Sequence, residues 1–464
     1  MLTTRGYVIK KTDITPKELG QLKKELTVSP LNFQNNVKIT YPIWMESPSS
    51  FYMPKWFGIN KFGPPTTTQI SSTEALSNEL EFDGLLRPEQ EEPVANLIRD
   101  CEDPKKQGGI LNVFCGGGKT TMALYVLRKL GLKSMIVVHK DFLLNQWKER
   151  IEQFLPKARI GYIKGPKCEV EECDIVLASL QSLSMKEYDN KTFKGFGTLI
   201  IDEVHHTSAQ VFNKALFKTC FKYSIGLTAT LERKDGLSCV FIWHLGDISY
   251  KATQREDNVD IKTIKYIPDV EEKEVFIKGS DKLNTARMVT NLTEDEVRDQ
   301  LIIRELDDII QNTTRKTLVL SDRVNHLKKL QRIINLRHSG AAGIYVGGMK
   351  ETALADCENK RVIFATYAIA SEGYDQKGLD TLILATPRSD ITQSVGRILR
   401  DKEIDRQNVP LVVDVYDGYS IFLRQYQKRK AFYKKHNYNI AYRRSAHPLE
   451  QIESVTSLIT PLCL

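Results

Sequence analysis

The segment Cys115-Gly116-Gly117-Gly118-Lys119-Thr120 lies between an apolar run at 110–114 and an amphipathic helical pattern at 121–129. Glycines let backbone N–H groups turn inward around phosphate oxygens, and the N-terminus of the following helix adds a positive dipole end. The order of strand, glycine loop and helix therefore predicts a phosphate-binding loop. We expect Lys119 to reach the β- and γ-phosphates of a nucleotide and Thr120 to offer its hydroxyl to Mg²⁺. The predicted phosphate-binding residues are Gly116, Gly117, Gly118, Lys119 and Thr120.

Short apolar runs alternate with amphipathic helical patterns on both sides of this loop. We predict strands at 110–114, 134–138, 174–178, 198–201 and 224–227, and a second series at 316–320, 343–346, 361–365, 381–385 and 411–415. Such runs are typical of parallel strands buried on both faces, and the helical patterns between them imply βαβ units. The chain is therefore predicted to have an α/β fold with two lobes, each a parallel sheet flanked by helices.

The length of 464 residues allows two to four domains at roughly 100–200 residues each. Four parts are predicted: an N-terminal accessory module with its linker at 1–75, a first lobe at 76–255, a second lobe at 256–420 and a basic C-terminal extension at 421–464. A short helix is expected from about Pro16 to Leu26. The interval 251–290 is more polar and yields no assignment.

The composition is that of an ordinary globular protein, with 41% hydrophobic and 27% charged residues. No apolar run reaches about 18 residues, so neither a transmembrane helix nor a membrane partner is expected. The N-terminus lacks the apolar stretch of a signal peptide, and the eight cysteines form no paired zinc-binding spacing. These features predict a cytoplasmic protein with reduced thiols. The net charge of +8 agrees with a polyanionic partner but does not require one.

An acidic pair, Asp202-Glu203, follows the apolar strand at 198–201. A carboxylate at the carboxyl end of a strand can hold Mg²⁺, and a second one beside it can orient or deprotonate an attacking water. We assign Asp202 to the metal and Glu203 to the water. The alternative is that Asp202 and Glu203 are an ordinary acidic pair at a strand-to-loop junction, without a role in metal binding or catalysis. A zinc site through His205 and His206 is not favoured, because adjacent side chains on a helix do not share a face.

Gln393, Arg397 and Arg400 recur at a spacing of i, i+4 and i+7 after the second series of strands. On a helix they would share one face, and two guanidinium groups on one face suit a γ-phosphate. Arginines in such a position can stabilise the charge that develops during phosphoryl transfer. We therefore predict a catalytic role for the three residues, with a solvated basic helix face as the alternative.

Taken in order, these three segments resemble motifs of the superfamily 2 helicases and translocases, and the resemblance spans about 80–417. Further segments are similar to other motifs of the superfamily: 86–90 to the Q motif, 138–140 with 146–148 to motif Ia, 178–183 to motif Ib, 226–230 to motif III, 319–323 to motif IV, and 365–366 with 370–375 to motif V. Within the superfamily the chain is most similar to the XPB-like group. Its smaller viral and phage members, the poxvirus transcript-release helicases and the UvsW-like branch-migration enzymes, are the most similar in character.

Two features depart from the XPB proteins. Those proteins carry Arg-Glu-Asp after motif III, whereas this chain has Arg233-Lys234-Asp235. The interval 251–290 is also short for the thumb insertion of that group. The resemblance therefore does not carry over the damage-opening role of XPB.

The resemblance implies two RecA-like lobes with ATP bound between them and Mg²⁺ as the metal cofactor. The nucleotide contacts implied by the Q motif and motif V are Arg87, Gln90, Gly373 and Asp375, the first two of which would read the adenine. Thr228 and Thr230 would couple the nucleotide site to a groove that holds the nucleic-acid backbone. The backbone contacts implied by motifs Ia, Ib, IV and V are His139, Lys140, Ser179, Gln181, Ser321, Arg323 and Thr366.

The tail contains many basic residues and no Asp or Glu between 421 and 445. Phe422, Tyr426 and Tyr433 recur at helical spacing, so one stripe of a helix would pack on the second lobe. The opposite side would then present a basic band to a duplex backbone. This band comprises Lys428, Lys430, Lys434 and Lys435. A solvated helix face that only improves solubility is the alternative.

These observations predict an ATP-dependent helicase or translocase that acts on nucleic acid, with DNA favoured over RNA. The activities implied are duplex unwinding, fork or junction remodelling and branch migration. The alternatives are an RNA helicase or transcript-release factor in viral transcription, an ATP-gated nucleic-acid clamp, and a motor subunit that serves a nuclease. Replication, recombination or transcription machinery would supply its partners, and no stable oligomer is implied. A viral or phage origin would place it in the host cytoplasm.

Overall fold

The computed structural model describes residues 1–444 apart from 32–38, 71–72, 115, 190, 206–208, 234, 253–256, 267–273, 348, 350–355, 358, 372–375, 377 and 401–405. The chain divides into two units, Met1–Thr253 and Gln254–Leu464. This division lies beside the predicted boundary between the two lobes at 255/256. The predicted boundaries at 75 and 420 stay predictions.

The N-terminal part of the first unit contains a four-stranded antiparallel sheet and a separate two-stranded one. Its strands are β1 Leu2–Thr3, β2 Gly6–Lys10, β3 Thr27–Val28, β4 Tyr41–Pro42, β5 Met45–Glu46 and β6 Ser50–Met53, and its helices are a 3-10 turn at Lys11–Asp13 and α-helices at Pro16–Glu25 and Lys55–Phe62. The strands pair in the order β1-β2-β6-β5, and β3 pairs with β4. The first α-helix lies where the sequence predicts it, because Thr15 and Glu18 form a capping box at its start.

A buried lysine fixes this part to the rest of the first unit. Lys55 Nζ donates hydrogen bonds to the backbone carbonyls of Gln107 (3.0 Å), Phe221 (3.1 Å) and Lys222 (2.5 Å). The three carbonyls satisfy the three donors of the ammonium group, while burial lowers the pKa of Lys55 to about 8. They lie directly before two central strands. The anchor is therefore at the amino-terminal edge of the central sheet.

The first unit is centred on a sheet that has eight strands among the described residues. These are β7 Gly108–Asn112, β8 Ser134–Val138, β9 Ile160–Lys164, β10 Lys167–Cys168, β11 Ile175–Ser179, β12 Thr198–Ile201, β13 Tyr223–Thr228 and β14 Ile248–Lys251. They pair in the order β10-β9-β11-β8-β12-β13-β7-β14, and β10 alone of these strands pairs antiparallel, with β9. The packed α-helices are Pro88–Glu102, Lys119–Leu130, Asp141–Phe154, Leu180–Met185, Ala209–Leu216 and Ser238–Leu245. Consecutive strand residues enter opposite cores, as Ile110 and Leu111 do, which confirms the predicted sheet buried on both faces.

The second unit contains a parallel sheet with seven strands in the described part of the chain. These are β15 Asp260–Tyr266, β16 Thr317–Ser321, β17 Ala342–Tyr345, β18 Val362–Thr366, β19 Thr381–Leu384, β20 Leu411–Asp417 and β21 Asn439–Arg444, in the order β17-β18-β16-β19-β20-β15-β21. The α-helices are Thr285–Glu294, Glu296–Asn312, Val324–Arg337, Tyr367–Ser371, Thr392–Ile398 and Ser420–Lys435. The predicted second α/β lobe is confirmed. No described helix is both long and apolar enough to cross a bilayer.

The sequence patterns predict neither β15 nor β21. β15 reads Asp-Ile-Lys-Thr-Ile-Lys-Tyr and so lacks the continuous apolar run of a predicted strand such as β16. β15 pairs in parallel with both β20 and β21. Its pairing with β21 begins with Asp260 opposite Asn439. Long-range pairing, rather than a local pattern, therefore decides that both segments are strands.

The helix Ser420–Lys435 packs on the second unit through the predicted stripe, since Phe422, Tyr426 and Tyr433 are all buried. Arg429 is buried with them, and its guanidinium forms two hydrogen bonds with Asp414, at 2.9 Å and 2.8 Å. Arg429 is thus one basic residue of the tail that faces inward. Lys428, Lys434 and Lys435 are exposed and Lys430 is half-buried.

Candidate active site

The glycine loop at 116–118 has a backbone shape that favours glycine. Gly116 and Gly118 both have φ of +82°, in the left-handed region. A Cβ placed on Gly118 would lie only 2.1 Å from Gln90 Nε2. Gly118 also caps the helix Lys119–Leu130, whose first N–H groups have no partner within the helix. The loop is therefore a cradle that can accept phosphate oxygens.

Arg87 and Gln90 lie against this loop. The buried Gln90 side chain donates from Nε2 to Gly117 O at 3.2 Å, and its Oε1 accepts from the Arg87 backbone N–H at 2.9 Å. Arg87 Nη2 would lie 2.8 Å from a Cβ on Gly118. The structure thus brings both residues to the phosphate loop, and their contact with adenine stays a prediction.

Lys119 lies beside the acidic pair. Its Nζ is 3.6 Å from Glu203 Oε1 and donates to Val113 O at 3.2 Å. The parallel strands β7 and β12 end at the same edge of the sheet, which is why residues far apart in sequence meet here. Thr120 follows in the first turn of the helix and is partly buried. A glycine cradle, a lysine and two carboxylates fit a polyphosphate and Mg²⁺, with Asp202 and Thr120 as the predicted metal ligands.

Both oxygens of the Asp202 carboxylate accept hydrogen bonds. Trp147 Nε1 donates to Oδ2 at 2.9 Å, and the Glu203 backbone N–H donates to Oδ1 at 2.9 Å. Burial, followed by the neighbouring Glu203 carboxylate, raises the pKa of Asp202 to about 6, against the opposing effects of Trp147 and Lys119. No sequence pattern indicated the Trp147 contact, since its partners are 55 positions apart.

Glu203 has an unusual backbone conformation. Its φ is +48°, in the left-handed region that costs a residue other than glycine roughly 1–3 kcal/mol. Such backbone strain clusters at functional sites, and it persists only where the surrounding structure enforces it. In this conformation the Glu203 backbone N–H donates to Asp202 Oδ1, and the Glu203 carboxylate lies beside Lys119. This geometry agrees with the predicted catalytic role of Glu203.

His205 connects the acidic pair to the segment predicted to couple the two sites. Its Nδ1 lies 2.8 Å from Thr228 Oγ1 and 3.4 Å from Glu203 Oε2. The Thr228 hydroxyl donates to Thr230 O at 2.6 Å, so its oxygen must accept the His205 bond and Nδ1 carries a proton. The His205 ring is thus hydrogen-bonded to Thr228 and lies beside the Glu203 carboxylate, while Thr230 is hydrogen-bonded to Thr228. His206 lies outside the described residues.

In the second unit, Gln393 and Arg397 lie on the helix Thr392–Ile398. Arg397 is buried, and its Nε donates to Ala370 O at 2.5 Å. The prediction that Arg400 shares a helical face with them is wrong, because the helix ends at Ile398 and the capping residue Leu399 leaves helical geometry, with ψ of 8°. Gly373 and Asp375, the predicted nucleotide contacts of motif V, lie outside the described residues.

The predicted nucleic-acid contacts of the first unit lie near the carboxyl ends of two neighbouring parallel strands. His139 and Lys140 follow β8, while Ser179 ends β11 and Gln181 lies on the next helix. β8 and β11 are parallel neighbours, so their carboxyl ends lie side by side. Gln181 is exposed and Ser179 is buried, and burial lowers the pKa of Lys140. Their contact with a nucleic acid stays a prediction.

The corresponding residues of the second unit also share an edge, since Ser321 and Thr366 are register partners at the ends of β16 and β18. Ser321 is fully buried, and its hydroxyl lies 3.0 Å from His326 Nδ1. Arg323 donates to Ala286 O at 2.6 Å and to Thr290 Oγ1 at 3.1 Å. Ser321 and Arg323 thus make contacts within the unit that the motif pattern did not predict.

Comparison with known proteins shows which family this chain resembles. A family model described as "Type III restriction enzyme, res subunit" matches residues 83–233, which include the glycine loop and the acidic pair. The "Putative ATP-dependent RNA helicase L396" of Acanthamoeba polyphaga mimivirus is 34% identical over 455 residues, covering 95% of this chain and 86% of the relative. The "Putative helicase 161L" of Invertebrate iridescent virus 6 is 26% identical, covering 91% and 96%.

A solved structure shows similarity of fold. It is titled "The fragment structure of a putative HsdR subunit of a type I restriction enzyme from Vibrio vulnificus YJ016". It aligns with a TM-score of 0.56 at 16% identity, covering 80% of this chain and 72% of that chain. This chain belongs to the superfamily 2 helicases, which hydrolyse ATP and act on nucleic acid. Within that superfamily it is similar to the viral helicases of mimivirus and the iridescent virus.

Arg397→Ala and Arg400→Ala are each expected to lower the kcat of ATP hydrolysis more than they raise KM. The reason is that a guanidinium acting on the transition state contributes little to ground-state binding. Steady-state kinetics over a range of ATP concentrations would measure both constants, with Arg397→Lys testing whether a positive charge alone suffices. A rise in KM without a change in kcat for both alanine variants would instead make them ground-state contacts.

Proposed function

We propose that this helicase is a DNA-directed motor that unwinds duplexes or remodels forks and junctions. ATP hydrolysis would drive it. The arrangement of Lys119, Asp202 and Glu203 around the glycine loop is the observation that carries the ATPase part of the proposal. The family model named for a restriction-enzyme subunit, together with the XPB-like and UvsW-like motif pattern, supports DNA as the substrate.

In the proposed reaction, Lys119 and the loop N–H groups bind the β- and γ-phosphates. Asp202 and Thr120 would hold Mg²⁺, which neutralises the charge that develops on the phosphate oxygens. Glu203 would orient the attacking water and accept its proton. Arg397 and Arg400 of the second unit would stabilise the transferring phosphoryl group, with Gln393 beside them.

Coupling to movement would run through His205. A change at Glu203 during hydrolysis would act on the neighbouring His205 ring, whose Nδ1 lies 3.4 Å from Glu203 Oε2 and 2.8 Å from Thr228 Oγ1. The segment 226–230 includes the end of β13, which pairs with β12, and β12 pairs with β8, the strand that precedes His139 and Lys140. A shift of 226–230 would reach those residues through this sheet. Backbone contacts suit a motor because they do not depend on base sequence.

RNA is the second candidate substrate. The mimivirus relative, which covers nearly the whole chain at 34% identity, carries the name of an RNA helicase. The residues of the proposed ATPase site do not distinguish DNA from RNA. The two candidates therefore differ in the nucleic acid that is bound and not in the hydrolysis reaction.

ATPase stimulation distinguishes the two candidates. The purified chain would be assayed with duplex DNA, single-stranded DNA, forked and four-way DNA, and RNA of matched length, with Lys119→Ala as the blank. Forked or junction DNA is expected to stimulate hydrolysis most. Strong stimulation by RNA with none by any DNA would overturn the proposal in favour of the RNA helicase.

Replacing Lys428, Lys430, Lys434 and Lys435 together by Glu is expected to weaken DNA binding and flatten its salt dependence. The lysines lie on the helix Ser420–Lys435, whose other face is buried. Each phosphate that a lysine no longer neutralises should lower the slope of log affinity against log salt by roughly 0.9. Binding titrations from low to moderate salt would measure that slope.

The matched control replaces the same four lysines by Arg, which keeps the charge. Circular dichroism and basal ATPase would confirm that both variants fold. An unchanged slope in the folded Glu variant would leave this helix a structural element only.

A further inference from the structure

The indole of Trp147 is directed at the predicted metal carboxylate. Trp147 lies on the helix Asp141–Phe154, and its Nε1 donates to Asp202 Oδ2 at 2.9 Å. The ring is 2% exposed and belongs to the same apolar core as Leu144 and Ile151. Packing therefore fixes where its single polar atom points.

The Asp202 carboxylate is held by two donors from separate elements. The Glu203 N–H comes from the turn after β12 and meets Oδ1, while the indole comes from the helix after β8 and meets Oδ2. Two hydrogen bonds to different oxygens set the plane of a carboxylate, which could otherwise rotate about its broad terminal torsion. Each oxygen keeps a further lone pair for another partner.

The chemistry of indole suits this task. Nε1–H is a donor only, so this nitrogen can neither ligate a metal ion nor accept a proton from a metal-bound water. It carries no charge, and so it does not repel a divalent cation as a lysine or arginine in its place would. Groups behind a metal ligand typically set metal affinity by holding the ligand in one orientation.

We propose that Trp147 is a positioning residue that orients Asp202 for Mg²⁺-dependent nucleotide binding. This inference rests on the proposed function, in which Asp202 is a Mg²⁺ ligand. Trp147 would thus act at the nucleotide site, whereas the resemblance to motif Ia implies nucleic-acid contacts for this part of the chain.

The test is the Mg²⁺ dependence of nucleotide binding by Trp147→Phe, which keeps an aromatic ring and removes the N–H. Binding of a fluorescent ATP analogue would be titrated with Mg²⁺ and repeated in EDTA. The Mg²⁺ concentration for half-maximal binding is expected to rise about tenfold. Metal-free binding of the analogue should stay unchanged.

Trp44→Phe is the matched control. Trp44 Nε1 donates to Thr27 Oγ1 at 3.3 Å in the N-terminal part of the chain, so the variant removes the same kind of hydrogen bond elsewhere. Its Mg²⁺ dependence should equal that of the wild type. A Trp147→Phe variant that folds, by thermal unfolding, and keeps the wild-type Mg²⁺ dependence would overturn the inference.

A second measurement keeps the Trp147 N–H in place and so does not depend on the folding of Trp147→Phe. The chain has four tryptophans, and replacing Trp44, Trp56 and Trp243 by Phe leaves Trp147 as the reporter. Its emission should change when Mg²⁺ is added to the nucleotide complex, and an absent response would contradict the inference. A wild-type chain without any Mg²⁺-dependent nucleotide binding would instead overturn the proposed function itself.

Discussion

Lys119→Ala is expected to abolish ATP hydrolysis while nucleic-acid binding is largely retained. Lys119 begins the helix after the glycine loop and lies 3.6 Å from Glu203, where no other basic side chain of the predicted phosphate loop can replace it. Loss of one preorganised donor to a developing charge typically costs about 10²–10³ in kcat. Steady-state phosphate release and a fluorescence-anisotropy binding assay would measure the two effects separately.

Lys129→Ala is a matched control, because Lys129 lies on the exposed side of the same helix. It should hydrolyse ATP like the wild type. If Lys119→Ala also turned over at the wild-type rate, the nucleotide site would have to lie elsewhere in the chain.

Glu203→Gln is expected to bind ATP and fail to hydrolyse it. The amide keeps the size of the side chain but cannot accept a proton from water, and loss of a general base typically costs about 10²–10⁴ in rate. Removing a negative charge near the phosphates should leave nucleotide binding intact or tighter. Filter binding of labelled ATP, followed by analysis of the retained nucleotide, would show ATP and not ADP on the protein.

Glu149→Gln, on the exposed side of the helix Asp141–Phe154, tests whether any amide substitution has this effect. It should leave turnover unchanged. Normal hydrolysis by Glu203→Gln would transfer the role of the base to another group, with Asp202 as the nearest candidate.

The parts of this fold that are visible in sequence are those specified by local patterns. The strands β8 and β12 have the predicted bounds because each is a short apolar run with a sharp start and end. The glycine loop is visible for a similar reason, since left-handed backbone positions strongly favour glycine. The approach of Asp202 to Lys119 also follows, because parallel strands end at a common edge.

Other features depend on contacts that no local pattern records. β15 and β21 are strands because they pair with each other across a long sequence separation. Trp147 reads as one more apolar residue of an amphipathic helix until the fold places Asp202 beside it. Arg429 reads as one more basic residue of the tail until Asp414 supplies a buried carboxylate for its guanidinium.

Helix length was the least predictable feature at the site. A spacing of i, i+4 and i+7 predicts one face only if the helix continues, and here the helix ends at Ile398 before Arg400 is reached. The role of Arg400 in ATP hydrolysis thus depends on the path of the chain after the helix, which spacing alone does not specify.

In the proposed function ATP hydrolysis moves this chain along nucleic acid, and a strand-displacement assay measures that movement. Forked DNA and forked RNA carrying a fluorescent strand would be incubated with the wild-type chain and with Glu203→Gln, each with ATP and Mg²⁺. We expect ATP-dependent release of the labelled strand from DNA by the wild type and none by the variant. Wild-type ATP hydrolysis with no strand release from either fork would contradict the proposed function and indicate an ATP-gated clamp.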